Sequence, residues 1–148
     1  MKISKKSVKM TAYVVNTLGY LILILTLIAL IFIQRPLFDS SIFNNILIIG
    51  NIVLIIYSPL RFSRITKLVD SEHVFKCNKE KRSYRYNIIS MFLLYLFSCA
   101  GFSYLTLTGE YPSMTYFITV SIILALFKTK KVASILNGNS NANTAYTK

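Results

Sequence analysis

The chain has 148 residues, of which 54% are hydrophobic, and it carries 17 Lys or Arg residues against five Asp or Glu. A formal net charge of +12 would suggest a nucleic-acid ligand in a water-soluble protein. Here the cations flank long apolar runs, so the composition indicates an integral membrane protein whose flanking segments meet anionic lipid head groups. We therefore expect the lipid bilayer as a partner and no nucleic acid.

The first half of the chain contains two apolar runs that are long enough to span a membrane. Residues 10–33 follow a basic N-terminal segment at residues 1–9. This run exceeds the roughly 7–15 residues of a cleavable signal core, which predicts a retained anchor. Residues 41–60 form the second span, since a hydrocarbon core of about 30 Å needs roughly 20 residues of helix. The loop between the spans, residues 34–40, is short and external.

A basic segment at residues 61–85 separates the two halves and is predicted to be a cytoplasmic loop. Its first part places Phe62, Ile65, Leu68 and Val69 at helical spacing, which predicts an amphipathic turn or two lying at the membrane interface. We interpret the cations as a lipid-facing surface, with a docking site for an acidic partner as the alternative. These candidate residues are Arg61, Arg64, Lys67, Lys79, Lys81, Arg82 and Arg85.

The second half repeats the hairpin plan. Residues 86–108 form the third span, residues 109–111 a short external turn, and residues 112–128 the fourth span. The fourth is at the short limit and contains four Ser or Thr residues, so we expect it to insert as a hairpin with the third. Residues 129–148 are basic at first, and the stretch from Asn137 is polar, small and aperiodic, which predicts a disordered cytoplasmic tail.

The distribution of basic residues predicts the orientation. With these four spans, 16 of the 17 Lys and Arg residues fall on one side of the membrane, and Arg35 alone falls on the other. Basic segments are retained in the cytoplasm during insertion. The sequence therefore predicts an all-α, polytopic membrane protein with four transmembrane helices in two hairpins and with both termini inside. The small loops favour a bacterial inner membrane.

A few polar and small residues inside the spans are candidates for intramembrane contacts. Asn16 and Asn51 are predicted at depths that differ by only about 4–5 Å, so the two amides could face one another and hold the bundle together. The alternative is a polar contact with another membrane protein. Ser98 and Gly101 bound a run of small residues that would let helices approach closely, within the bundle or against a partner. Tyr20, Tyr95 and Tyr104 lie deep in their spans, where we expect their hydroxyls to bond across helices.

Charged side chains and histidine, which usually serve in ion transport and catalysis, are missing from the predicted membrane interior. Apart from Lys128 at the very end of the fourth, none of the four spans contains Asp, Glu, Lys, Arg or His, which argues against proton relays and ion-coupled carriers, including small multidrug exporters with a glutamate in their first helix. His73 and Cys77 lie four apart in the basic loop, but two candidate ligands do not make a metal site. Phosphate-binding glycine loops, paired carboxylates and nucleophile elbows are lacking as well. We expect neither catalysis nor a cofactor.

These features favour a non-enzymatic protein that recognises another membrane protein inside the bilayer. An immunity factor against a pore-forming toxin, a phage-exclusion factor or an accessory subunit would fit. The general plan of small size, few spans and a basic cytoplasmic loop resembles that of bacteriocin immunity proteins, although no sequence motif is shared. This is an analogy of architecture only. The alternatives are a small oligomeric transporter or channel for a neutral solute, and a holin-like lytic protein.

Overall fold

The computed structural model describes residues 5–31, 42–70, 78–108 and 111–144, and all of these residues are helical. The helices are α1 (Lys5–Ile31), α2 (Ile42–Asp70), α3 (Asn78–Thr108) and α4 (Tyr111–Thr144). Side chains are described for residues 7–31, 42–69, 79–108 and 115–137. The predicted all-α class with four helices is confirmed.

Three of the helices are long and apolar enough to cross a membrane. They are Ser7–Ile31, Ile42–Val69 and Lys79–Thr108 within α1, α2 and α3. A helix satisfies all of its backbone hydrogen bonds internally, which is what hydrocarbon requires of a spanning segment. These three helices are those expected of a membrane protein. Within the part of α4 whose side chains the structure describes, residues 115–137, no stretch of that length and hydropathy is found.

The four helices pack in the cyclic order α1, α2, α4, α3. The α3–α4 contact is the most extensive, α2 and α3 meet only briefly across one diagonal, and α1 and α4 do not touch within the described ranges. The core contains large, fully buried side chains from three helices, among them Phe62, Ile88, Tyr95, Phe102 and Ile122. Each predicted hairpin is therefore a packed pair of neighbouring helices.

Cross-helix contacts fix the helix directions. The Tyr84 hydroxyl of α3 donates to the Val8 carbonyl of α1 at 3.4 Å, close to the beginning of both helices. Further along, Thr26 of α1 meets Cys99 of α3, so α1 and α3 run in the same direction. α3 and α4 run in opposite directions, because Gly101 faces Ile118 while Asn87 is bonded to Lys128. The beginnings of α1 and α3 and the ends of α2 and α4 therefore meet at one end of the bundle.

All four helices extend beyond the apolar runs, and α3 begins at Asn78, within the segment predicted to be a cytoplasmic loop. The extensions of α2 and α4 bear on two further predictions. The segment with Phe62, Ile65 and Val69 is helical, as its spacing predicts, but these side chains are only 2–3% exposed. They pack inside the bundle, since α2 continues as a helix to Asp70, whereas Leu68 is half-buried. The prediction of an interfacial turn was wrong in that respect.

The tail also differs from its prediction. The composition from Asn137 onward predicts disorder, whereas α4 continues to Thr144. Val132 and Leu136, one helical turn apart, are completely buried and extend the packed face of α4 past its basic residues. This apolar stripe accounts for the helix as far as Leu136, the residue before the polar segment begins.

Candidate intramembrane contacts and the basic end of the bundle

Asn51 of α2 is completely buried and makes its hydrogen bonds to α4. Its amide oxygen accepts from the Thr119 hydroxyl at 3.0 Å, and its Nδ2 donates to the Thr115 carbonyl at 3.4 Å. The Thr119 hydroxyl also lies 2.8 Å from the carbonyl of Thr115 in its own helix. The expectation that Asn51 bonds between helices is confirmed, but the partner helix is α4 and not α1.

The predicted Asn16–Asn51 pair is wrong. Asn16 keeps a buried amide oxygen that has no hydrogen-bond partner within the described parts of the chain. The register of α1 against α2 is set by the close approach of Gly19 to Phe62. Asn16 lies three residues before Gly19, and Asn51 lies eleven residues before Phe62 in the antiparallel helix. At 1.5 Å per residue the two amides are about 21 Å apart along the bundle. The predicted depths of the two asparagines were counted from the basic end of each apolar run. That count failed for Asn51, because α2 stays helical well beyond its apolar run.

A second polar contact supplies a hydrogen-bond donor that is missing within α2. Pro59 lies inside this helix and has no backbone N–H. The Ile55 carbonyl, four residues earlier, therefore lacks its usual helical donor. The Tyr95 hydroxyl of α3 lies 3.3 Å from that carbonyl and donates to it. The expectation that deep tyrosines bond across helices is confirmed for Tyr95, whereas Tyr20 is half-buried and Tyr104 is exposed. The partner of Tyr95 explains how a buried proline is accommodated within a membrane-spanning helix.

The same tyrosine ring is held by its neighbours. It packs edge-on against Phe62, with the ring centroids 5.2 Å apart. The Cys99 thiol, one turn further along α3, interacts with the Tyr95 hydroxyl and with Thr26 of α1. Residues from α1, α2 and α3 therefore meet around Tyr95. The sequence contained a signal for this contact, since a proline in an uncharged run calls for a polar donor on a neighbouring helix.

The small residues of α3 face the interior of the bundle, with one exception. Ser98 is completely buried, and its hydroxyl donates to the Leu94 carbonyl of its own helix at 2.8 Å. Gly101 allows α4 to approach, because a Cβ added there would lie 3.2 Å from Ile118. Ala100 points outward. Internal packing accounts for Ser98 and Gly101, whose role as contacts for a partner stays untested.

The candidate basic residues all lie at the end of the bundle where α1 and α3 begin, which we call the basic end. Arg64, Lys67, Lys79, Arg82 and Arg85 are exposed, whereas Arg61 and Lys81 are half-buried. Lys9 from α1 and the three lysines that follow the apolar part of α4 lie at the same end. The arrangement of the helices thus gathers into one zone cations that come from four separate stretches of sequence.

Two of these cations lie against tyrosine rings. The Arg61 guanidinium lies 5.0 Å from the centre of the Tyr57 ring. The Lys128 ammonium lies 5.1 Å from the centre of the Tyr86 ring and donates to the Asn87 amide oxygen at 3.4 Å. Such cation–π contacts are worth about 0.5–1 kcal/mol where they are exposed. They hold the two cations at the boundary between the apolar and the charged surface.

No protein-family model, curated protein or solved structure matches this chain. The site therefore has to be interpreted from its own chemistry. Among the described residues no group of three His, Cys, Asp or Glu side chains could hold a metal ion. His73 and Cys77 lie outside the described residues.

Proposed function

We propose that this protein is a four-span protein of a bacterial inner membrane with both termini in the cytoplasm. The gathering of the cations at the basic end supports this orientation, because Lys and Arg near the ends of spans are retained in the cytoplasm. The fourth span would be the apolar part of α4, which packs along α3 over its length.

Reporter fusions test this orientation. Fusions after Lys81 and after Lys148 should give cytoplasmic readings, and fusions near Asp39 and Glu110 should give external readings. The pair Glu110 and Lys148 tests the fourth span by itself, since the two sites lie on opposite sides only if α4 crosses. A periplasmic reading at Lys81 would overturn the whole orientation.

We further propose that the protein acts without catalysis, through contacts with another membrane protein inside the bilayer. An immunity or exclusion factor and an accessory subunit are the roles that fit. The observation that carries this proposal is the openness of α1. Only 17% of its apolar stretch is buried in the bundle, against 33% for α2 and 39% for α3.

The open face of α1 has the spacing of a helix-pairing surface. Five aliphatic residues are separated alternately by four and three positions, which is the repeat that lines the seam of a left-handed helix pair. Each of them is between 39% and 58% exposed. We call this surface the α1 seam, and its members are Val14, Leu18, Leu21, Leu25 and Ile28. A helix of another protein that packs along the α1 seam would bury apolar surface of α1 that the bundle leaves exposed.

Photo-crosslinking in native membranes tests the seam directly. A photoreactive amino acid would replace Leu25, which is 58% exposed, and in a matched variant Ile56 of α2, which is 42% exposed. The register set by Gly19 and Phe62 places these two positions at about the same depth, but only Leu25 belongs to the seam. We expect a discrete protein adduct from Leu25, recovered through a C-terminal tag, and only lipid adducts from Ile56. Lipid adducts alone at both positions would refute the proposal.

A further inference from the structure

A groove of about 590 Å³ lies between α2 and α4 at the basic end. Its volume falls in the range of small-molecule sites, roughly 300–1,000 Å³. Because α2 and α4 run in the same direction, the groove follows both helices from their apolar parts to their charged parts. The lining residues that matter are Tyr57, Arg61, Arg64, Ile123, Phe127 and Lys130.

The two ends of the groove differ in chemistry. Tyr57, Ile123 and Phe127 form the end that is continuous with the apolar spans. Arg61, Arg64 and Lys130 follow about one to two helical turns further along the two helices. No Asp or Glu lines the groove, so the charge of these three cations is not balanced within it.

The position of Arg61 suits an anion. Its guanidinium lies over the Tyr57 ring, which holds the stem of the side chain against the wall of the groove. Arg64 is exposed one turn away on α2, and Lys130 is exposed on α4, opposite. Guanidinium groups bind phosphate with two parallel hydrogen bonds, and an ammonium adds a compact positive charge. The three groups together would surround a phosphate from both walls.

We infer that this groove binds one anionic phospholipid. Its phosphate would lie among Arg61, Arg64 and Lys130, and the upper part of an acyl chain would lie along Ile123 and Phe127. A lipid is favoured over an acidic protein segment because the apolar end of the groove opens onto the membrane-spanning surface. Basic pockets between transmembrane helices on the cytoplasmic side are sites of this kind.

The absence of tryptophan from the chain allows a direct test. Phe127→Trp would place a single fluorophore in the groove, and vesicles would contain phosphatidylglycerol or phosphatidylcholine with brominated acyl chains as the quencher. Ile89→Trp is the matched reporter, since Ile89 is exposed on α3 near the level of Lys128 and does not line the groove. We expect brominated phosphatidylglycerol to associate about fivefold more strongly than phosphatidylcholine at the Phe127→Trp reporter, and equally at Ile89→Trp.

Two charge-matched triple variants separate the groove from the general surface charge. Arg61→Gln with Arg64→Gln and Lys130→Gln removes three cations from the groove. Lys67→Gln with Arg82→Gln and Arg85→Gln removes three exposed cations from elsewhere at the basic end. The preference for phosphatidylglycerol should be lost in the first variant and retained in the second. Both sets lie outside the core, and the helical content of each variant would be checked.

Three results would overturn the inference. The first is equal quenching by the two lipids at Phe127→Trp. The second is an equal preference for phosphatidylglycerol at Ile89→Trp, and the third is equal loss of the preference in both triple variants, which would indicate a diffuse surface potential. Quenching by a labelled polyglutamate peptide, in place of brominated phosphatidylglycerol, would assign the groove to an acidic protein segment.

Discussion

The Tyr95 hydroxyl should stabilise the bundle more than an ordinary interhelical hydrogen bond, because it donates to a carbonyl that lacks its usual helical donor. Tyr95→Phe removes the hydroxyl and keeps the ring, so the edge-on packing against Phe62 is retained. The loss would leave the Ile55 carbonyl unsatisfied in the interior. Leaving a buried acceptor unpaired costs about 1–3 kcal/mol, whereas hydrogen bonds between membrane helices average about 0.6 kcal/mol. We expect Tyr95→Phe to lower the free energy of unfolding by about 1–2 kcal/mol.

The proline supplies the second arm of a double-mutant cycle. Pro59→Ala restores a backbone N–H at position 59, which can donate to the Ile55 carbonyl in the ordinary helical pattern. In that background the Tyr95 hydroxyl is no longer needed, and Tyr95→Phe should cost only about 0.5 kcal/mol. The coupling between the two substitutions should therefore be about 1 kcal/mol.

Equilibrium unfolding in mixed micelles, followed by loss of helicity, would give the four free energies. Tyr84→Phe is the matched control, since Tyr84 is also completely buried and its hydroxyl also meets a main-chain carbonyl, that of Val8. Proline is absent from α1, so the cost of Tyr84→Phe should not depend on Pro59→Ala. If Tyr95→Phe costs the same in both Pro59 backgrounds, the explanation of this contact is wrong.

Two further pairs of substitutions test the packing of the bundle by the same unfolding measurement. Thr119→Val should cost about 1–2 kcal/mol because it leaves the Asn51 amide oxygen unpaired, whereas Thr129→Val, at a more buried position but bonded to a carbonyl of its own helix, should cost less than about 0.5 kcal/mol. Equal losses would mean that the Asn51 contact contributes nothing. Gly19→Ala should cost about 1–3 kcal/mol, because its Cβ would lie 2.8 Å from Phe62. Gly50→Ala has open space around its Cβ and should be neutral or stabilising; a loss as large as that of Gly19→Ala would contradict the proposed register.

The sequence predicted the helices well because the length of each apolar run can be counted directly from it. The spans at residues 10–33, 41–60 and 86–108 all lie within observed helices or pass their ends by at most two residues. Hydropathy marks where a helix can enter hydrocarbon, but it does not mark where the helix ends. The continuation of α2 to Asp70 and of α4 to Thr144 could therefore not be read from it.

Partners across the bundle were harder to predict than the helices themselves. Asn51 was correctly singled out as a residue that bonds between helices, but its pairing with Asn16 required a register that depth alone does not supply. That register depends on the contact of Gly19 with Phe62. Phe62 belongs to residues 61–85, which the sequence predicts to be a loop. The α2–α4 groove was missed for the same reason, since its cations come from segments that are about 65 positions apart in the chain.

The contacts of α2 also have a consequence for biosynthesis. The donor for the Ile55 carbonyl lies 40 residues downstream of it, and the partners of Asn51 lie 64 and 68 residues downstream. At a translation rate of about 5–20 residues per second, α2 would wait roughly 3–14 s for α4 to be made. During that interval the Asn51 amide lacks its partners in α4, and the Ile55 carbonyl lacks its donor until Tyr95 of α3 has been made. A nascent chain that ends after α3 therefore has an unpaired Asn51 amide in α2. A membrane chaperone or protease could recognise this amide and so distinguish the incomplete chain from the finished protein.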